Sequence, residues 1–209
     1  MSKQILVDYI PFEITPQQIN ESMEKNGGRL VVNGVLQRAN AKNQNGRVYP
    51  RDTLMKEAEK YAEVQIAERR ALGELDHPDS SVVNLNNASH NILEMHWDGD
   101  DLNGTVEVLG TPAGNILKEL FRAGIKLGIS SRGLGSVEEI HEGDGMEPVV
   151  KVQPDFELIA FDFVSNPSTH GAFLSPVKEG INESVGTRKG VCCHDCKIED
   201  IINDIFRGE

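Results

Sequence analysis

The 209-residue chain combines 38% hydrophobic with 26% charged residues at a mean hydropathy of −0.36, which fits one soluble domain with polar extensions and excludes general disorder. Its 33 Asp and Glu against 21 Lys and Arg give a net charge of −12, which repels a phosphate backbone and sets nucleic acid aside as a main partner. No apolar run approaches the roughly 18 residues a membrane span needs, and no basic-then-apolar leader opens the chain, so the expectation is a protein that stays in the cytoplasm where it is made.

In chain order, QILVDYIPF reads as a strand, and TPQQINESMEKNGG as a short helix capped by Thr15 and ended by its glycines. RLVVNGVLQRA is strand-like, and NAKNQNGRVYP is an Asn- and Gly-rich connection stopping at a proline. From about Asp52 to Ala71, Leu54, Ala58 and Tyr61 mark an amphipathic helix. ALGELDHPDSS carries a short apolar run into a His-Pro turn, and NILEMHW and LNGTVEVLG flank the turn residues DGDD as a hairpin. Thr111-Pro112 starts a helix with Ile116, Leu117, Leu120 and Phe121 as its buried stripe, and Gly124 ends it. IKLGISSRGLGSVEE, PVVKVQ and FELIAFDFV are further strands. Without regular alternation of strand and helix, a doubly wound sheet is disfavoured, and the fold class is α+β, a mainly antiparallel barrel or sandwich with helices outside. Beyond about Pro176 the chain turns polar, with EDIINDIF as one short helix.

Three positions stand out chemically. In KLGISSRGLG, alternation sets Leu127, Ile129 and Ser131 on one face and Gly128, Ser130 and Arg132 on the other. With the apolar pair inward, Ser130 looks into solvent or a cleft, and the glycines at 128, 133 and 135 leave room for a substrate backbone and an oxyanion. Paired serines beside glycines also fit a crowded barrel strand, and on these residues alone packing comes first. A serine nucleophile needs a base. Of the six histidines, His77 sits at a rigid His-Pro edge that suits one, although such a turn is as a rule structural. In FELIAFDFV, Asp162 is hemmed in by apolar neighbours, so its charge needs a partner: a histidine to orient, or an arginine in a salt bridge.

Taken together, NGRVYPRDTL before a helix, GELDHP, and GISSRGLGS after a helix resemble, in type, order and spacing, the prohead or capsid-maturation proteases of large tailed bacteriophages. The likeness runs from about Arg29 to Pro176. It implies a serine endopeptidase distantly similar to herpesvirus assemblin, with a β-barrel core ringed by helices, acting in the host cytoplasm inside the immature capsid on scaffold and capsid proteins. Carried over by motif, His77 is the general base and Ser130 the nucleophile. Asp162 is the third member, with His90 in NNASHNI as the alternative because assemblin uses a second histidine there. Arg132, Ser131 and Gly133 are the candidates for oxyanion or substrate binding.

Such proteases cut after glutamate with Ile or Leu two positions before it. The tetrapeptide INES, present at 19–22 and again at 181–184, fits that pattern. The resemblance therefore implies self-cleavage at Glu21-Ser22 and Glu183-Ser184, dividing the chain into 1–21, a protease body 22–183 and a tail 184–209. No cofactor is expected. Cys192, Cys193, His194 and Cys196 lie too close together, without a second ligand pair, to make a convincing zinc site, and no disulfide can staple the main body. Self-association is left open. The alternative from a different class is an inactive scaffold or capsid-interior binding protein that keeps a protease-like fold.

Overall fold

A computed structural model describes residues 3–78, 80–140 and 148–165. All of them belong to one compact unit, Met1–Ala172. The strands are β1 (Gln4–Phe12), β2 (Leu30–Arg38), β3 (Arg47–Val48), β4 (Leu72–Glu74), β5 (Ala88–Asp98), β6 (Asp101–Val108), β7 (Leu127–Gly135), β8 (Val137–Ile140), β9 (Val149–Val152) and β10 (Glu157–Val164). The helices are α1 (Pro16–Lys25), α2 (Arg51–Tyr61) and α3 (Pro112–Arg122). None is long and apolar enough to cross a membrane.

Local chemistry accounts for most boundaries. Thr15 and Gln18 form a reciprocal capping box at the start of α1, and Thr111 accepts the amide of Gly114 at the start of α3, with proline opening both helices. Gly124 leaves α3 at φ 72°, where a side chain would be strained. α2 is shorter than its apolar pattern suggests: the α-geometry stops at Tyr61 and one π-helical turn, Ala62–Ile66, follows. No residue of that turn is fully buried, although Ile66 still packs against the main core.

Three sheets result, ordered β1-β7-β10, β2-β6-β5-β4 and β3-β9-β8. The first two nearly form a continuous circuit around the main core, which includes Phe12, Leu36, Ile92, Val106, Ile129, Phe161 and Phe163. The expected barrel is not closed among the described residues. β10 meets the end of β4 through one isolated bridge, Leu75 to Phe163, and β1 and β2 share no ladder although Gly34 lies directly against the Phe12 ring. Pro11 lacks a donor, which suits β1 to the unpaired edge. Along that seam runs a groove of about 550 Å³ lined by Tyr9–Glu13, Asn33–Val35 and the 41–44 loop.

β1 pairs with β7 along its full length, Gln4 with Gly135 through Phe12 with Leu127. Its Asp8, 1% exposed, accepts from Asn45 and Tyr49 and pairs with Arg47, so the NGRVYP segment is a buried polar anchor for β1. Burial pushes the Asp8 carboxyl above its usual range despite these partners.

The expected division of the chain at residue 21 falls within a helix. Glu21-Ser22 lies inside α1, where Ile19 is buried and Ser22 Oγ both donates to the Val31 carbonyl at 2.5 Å and accepts from its amide at 2.9 Å. A body beginning at residue 22 would lose β1, the strand that flanks β7. The second INES, the 184–209 tail with its cysteines, and EDIINDIF fall outside the described residues.

Candidate active site

β7 is the central strand of its sheet, and its register with β10 sets Asp162 directly across from Ser130. Cross-strand partners share a face, so these two side chains emerge together, with Arg132 two positions along. The opposite faces of both strands, Ile129 on β7 and Phe161 and Phe163 on β10, fill the main core, as alternation requires.

His77 reaches this face through an unusual turn. Asp76 adopts φ +70°, its amide donates to the Phe163 carbonyl at 2.8 Å, and its side chain accepts the His77 amide at 2.9 Å. A non-glycine residue in the left-handed region costs about 1 kcal/mol, and here it turns the imidazole away from the end of β4 onto Asp162. His77 Nδ1 lies 3.1 Å from Asp162 Oδ2. A carboxylate only accepts, so Nδ1 carries the proton and Nε2 of the neutral ring is left as the basic nitrogen.

Four donors surround the Asp162 carboxylate. Oδ1 accepts the Glu74 amide at 3.0 Å and Arg132 Nη2 at 3.1 Å; Oδ2 accepts His77 Nδ1 and Arg132 Nε, the latter at 2.8 Å. Burial alone would raise this carboxyl, but the bonds from His77, Arg132 and the Glu74 amide outweigh it and hold the group below the usual carboxylate range. The charged form is therefore the stable one.

Ser130 Oγ and His77 Nε2 are both buried and both without a hydrogen-bond partner among the described residues. They do not bond each other in this structure, yet each belongs to a residue that adjoins Asp162, one across the ladder and one through Nδ1. Buried polar atoms are nearly always satisfied, so two unsatisfied ones on residues that adjoin the same carboxylate call for an explanation. Free sites often show such bonds unformed.

The other expected residues are placed differently. Arg132 was expected at the oxyanion or in a pocket for glutamate, but it is 0% exposed and its guanidinium is committed to Asp162, to Glu74 Oε1 at 3.1 Å and to the Ser80 carbonyl at 2.6 Å. Its guanidinium thus holds Asp162, Glu74 and the Ser80 carbonyl together. Ser131 faces the opposite side and accepts from Gln37 Nε2 at 2.7 Å. Gly133 is a packing glycine, because a Cβ there would overlap the Phe156 ring and crowd the Glu157 carbonyl. Ser130 itself is 1% exposed rather than open to solvent, since both faces of β7 are covered. Glu74 was not singled out in the sequence, although it lies in the same GELDHP motif as His77.

His90 does not meet His77. Its Nε2 donates to the Phe161 carbonyl at 2.9 Å, and Nδ1 accepts from Ser89 Oγ at 2.8 Å, so both ring nitrogens are satisfied in the neutral state. Gly73 packs so closely on this ring and on the Phe161 carbonyl that any side chain would overlap them. Burial lowers the His90 pKa from 6.5 to about 4, outweighing the opposing pull of Asp162.

The sign of the resulting pH dependence is direct. Between 6.5 and about 4 the unfolded chain takes up a proton that the folded ring refuses, so stability falls as the pH drops through that window. The loss from this one group is at most about 3 kcal/mol. Asp8 acts oppositely, since its raised carboxyl costs the fold stability as the pH climbs above 3.8. Denaturant midpoints of the wild type and His90→Gln at pH 7 and pH 4.5 separate the two. The wild type should lose more between those values than the variant does, and equal losses would remove His90 as the cause.

Comparison with known proteins places these elements in context. A family described as Prohead core protein serine protease matches residues 7–185. The "Prohead core protein protease" of Enterobacteria phage T4 is 35% identical over 150 residues, 70% of this chain and 68% of that protein. The structure of the bacteriophage T4 capsid assembly protease, gp21, superposes with a TM-score of 0.67 at 27% identity, covering 79% of this chain and 99% of that one.

Proposed function

The chain belongs to the family of prohead core protein serine proteases, and from that premise we propose that it is a serine endopeptidase acting inside the immature phage capsid. Its substrates are scaffold and capsid proteins, cut after Glu in (Ile/Leu)-x-Glu sequences. The observation that carries the serine mechanism is the Asp162 carboxylate, facing Ser130 across the ladder while holding His77 Nδ1 at 3.1 Å.

Ser130 Oγ attacks the carbonyl carbon of the scissile bond as His77 Nε2 takes the hydroxyl proton. The C–N bond then breaks, and the same proton passes to the departing amine, leaving an ester on Ser130. Water, deprotonated by His77, hydrolyses that ester, and the proton returns to Ser130. Asp162 keeps the ring in the required tautomer and stabilises the imidazolium formed in each half. Ser130 and His77 adjoin the same carboxylate, one across the ladder and one through Nδ1, and the mechanism requires their own hydrogen bond to form as substrate binds.

Self-processing at Glu183-Ser184 belongs to the same activity. Glu21-Ser22 also has the required residues, but a protease reads extended chain, so a cut there requires α1 to open.

Incubating the full-length chain with an Ile-x-Glu peptide and with a fluorophosphonate probe tests the proposal. The expected result is cleavage after Glu, abolished by the probe, with the label mapped to Ser130 by mass spectrometry. Cleavage that survives the probe would overturn the serine mechanism. Absence of cleavage under any activating condition would favour a scaffold or binding role.

A further inference from the structure

Resting on the serine-protease reading above, we propose that Glu74 is a positioning residue for the reaction, fixing the Asp162-His77 pair through Arg132 and supplying the negative charge that balances the imidazolium. Glu74 ends β4 and is 0% exposed. Its amide donates to Asp162 Oδ1, its Oε1 accepts Arg132 Nη2, and the same oxygen accepts the Asn84 amide at 3.0 Å. One residue thus touches the acid, the guanidinium that clamps the acid, and the loop that follows His77. Arg132 fastens the same loop at Ser80.

The charge count gives this arrangement its purpose. Asp162 and Arg132 alone would neutralise each other, and a proton arriving on His77 would leave an uncompensated positive charge in a site sheltered from water. With Glu74 the buried set is Asp162, Glu74 and Arg132, one negative charge in surplus, which the imidazolium cancels. The other titratable neighbours do not supply that charge. Burial raises the Tyr61 hydroxyl and lowers the His90 ring, leaving both neutral, and Asp76 is exposed to solvent screening. Glu74 Oε2 is buried with no partner among the described residues, a desolvation cost that loop anchoring by Oε1 does not explain.

Glu74→Gln keeps an oxygen for Arg132 and Asn84 and removes the charge. In peptide hydrolysis by the full-length chain, KM should stay within about twofold while kcat falls roughly three- to tenfold, and the acidic limb of kcat/KM should move to lower pH by about one unit. The direction follows because a nearby anion favours the protonated ring, so its removal lets the base stay free of its proton at lower pH. Glu74→Asp should keep the limb near its wild-type position yet lose kcat, because the shorter side chain cannot hold Arg132 and Asn84 together.

A Gln variant with an unmoved acidic limb would overturn the proposal. Should that variant fail to fold, wild-type kcat in Glu74→Asp would overturn it instead. Either result leaves wild-type hydrolysis intact, whereas a wild type that never cleaves sinks the protease reading itself.

Discussion

Ser130→Ala is expected to abolish peptide hydrolysis, lowering kcat by about 10⁶ or to below detection, while the folded chain becomes no less stable. The two effects have one physical source. Ser130 Oγ is buried and makes no hydrogen bond among the described residues, so the fold bears its desolvation and receives nothing in return. Deleting an unsatisfied buried hydroxyl while leaving a void smaller than a methyl group gains on the order of 1 kcal/mol, or a rise in Tm of roughly 2–4 °C for a domain of this size. A serine with a packing role behaves oppositely: Ser131 accepts from Gln37, and Ser131→Ala would strand that amide in the interior. Parallel thermal melts and hydrolysis assays on the two variants check this. Loss of stability in Ser130→Ala with activity retained would move the nucleophile elsewhere.

How far the sequence carried this site depends on which interactions are local. Alternation in GISSRG placed Ser130 and Arg132 on one face, and alternation in FELIAFDFV placed Asp162 away from Phe161 and Phe163, because period-2 geometry is a property of each strand alone. The capping signals at Thr15 and Thr111 were legible for the same reason. The partners of Arg132 were not legible because they come from β4, β10 and Ser80, and nothing in a strand's own pattern reveals that a neighbouring segment folds over it. Sequence reasoning offered a histidine or an arginine as the partner of Asp162; the carboxylate holds both. The seam between β1 and β2 was hidden too, since a strand's composition does not state whether its edge is paired. The INES pair shows the converse: a motif legible in the sequence says nothing of its surroundings, and the first copy lies inside a helix that follows the strand paired with β7.

Asp162→Asn should lower kcat by about 10⁴ and destabilise the fold by roughly 3 kcal/mol. Every group around this side chain is a donor: the Glu74 amide, His77 Nδ1, and Arg132 Nε and Nη2. An amide of the same shape brings a second set of donors into that ring and must point its NH₂ at one of them, so it loses a bond, gains a repulsion and leaves Arg132 with less negative charge than it needs. If the NH₂ turns to His77, Nδ1 is forced to become the acceptor, Nε2 takes the proton, and the ring can no longer accept one from Ser130. The pH response separates orientation from simple unfolding. In the wild type the lowered Asp162 carboxyl contributes stability that is present above 3.8 and lost as the pH falls through its folded value, and the Asn variant has no such contribution to lose. Acid titration followed by circular dichroism should therefore show a shallower loss in the variant below pH 4, alongside the collapse of kcat measured at pH 7 on protein confirmed to be folded. A folded Asn variant that retains kcat within tenfold of the wild type would remove Asp162 from its place beside His77.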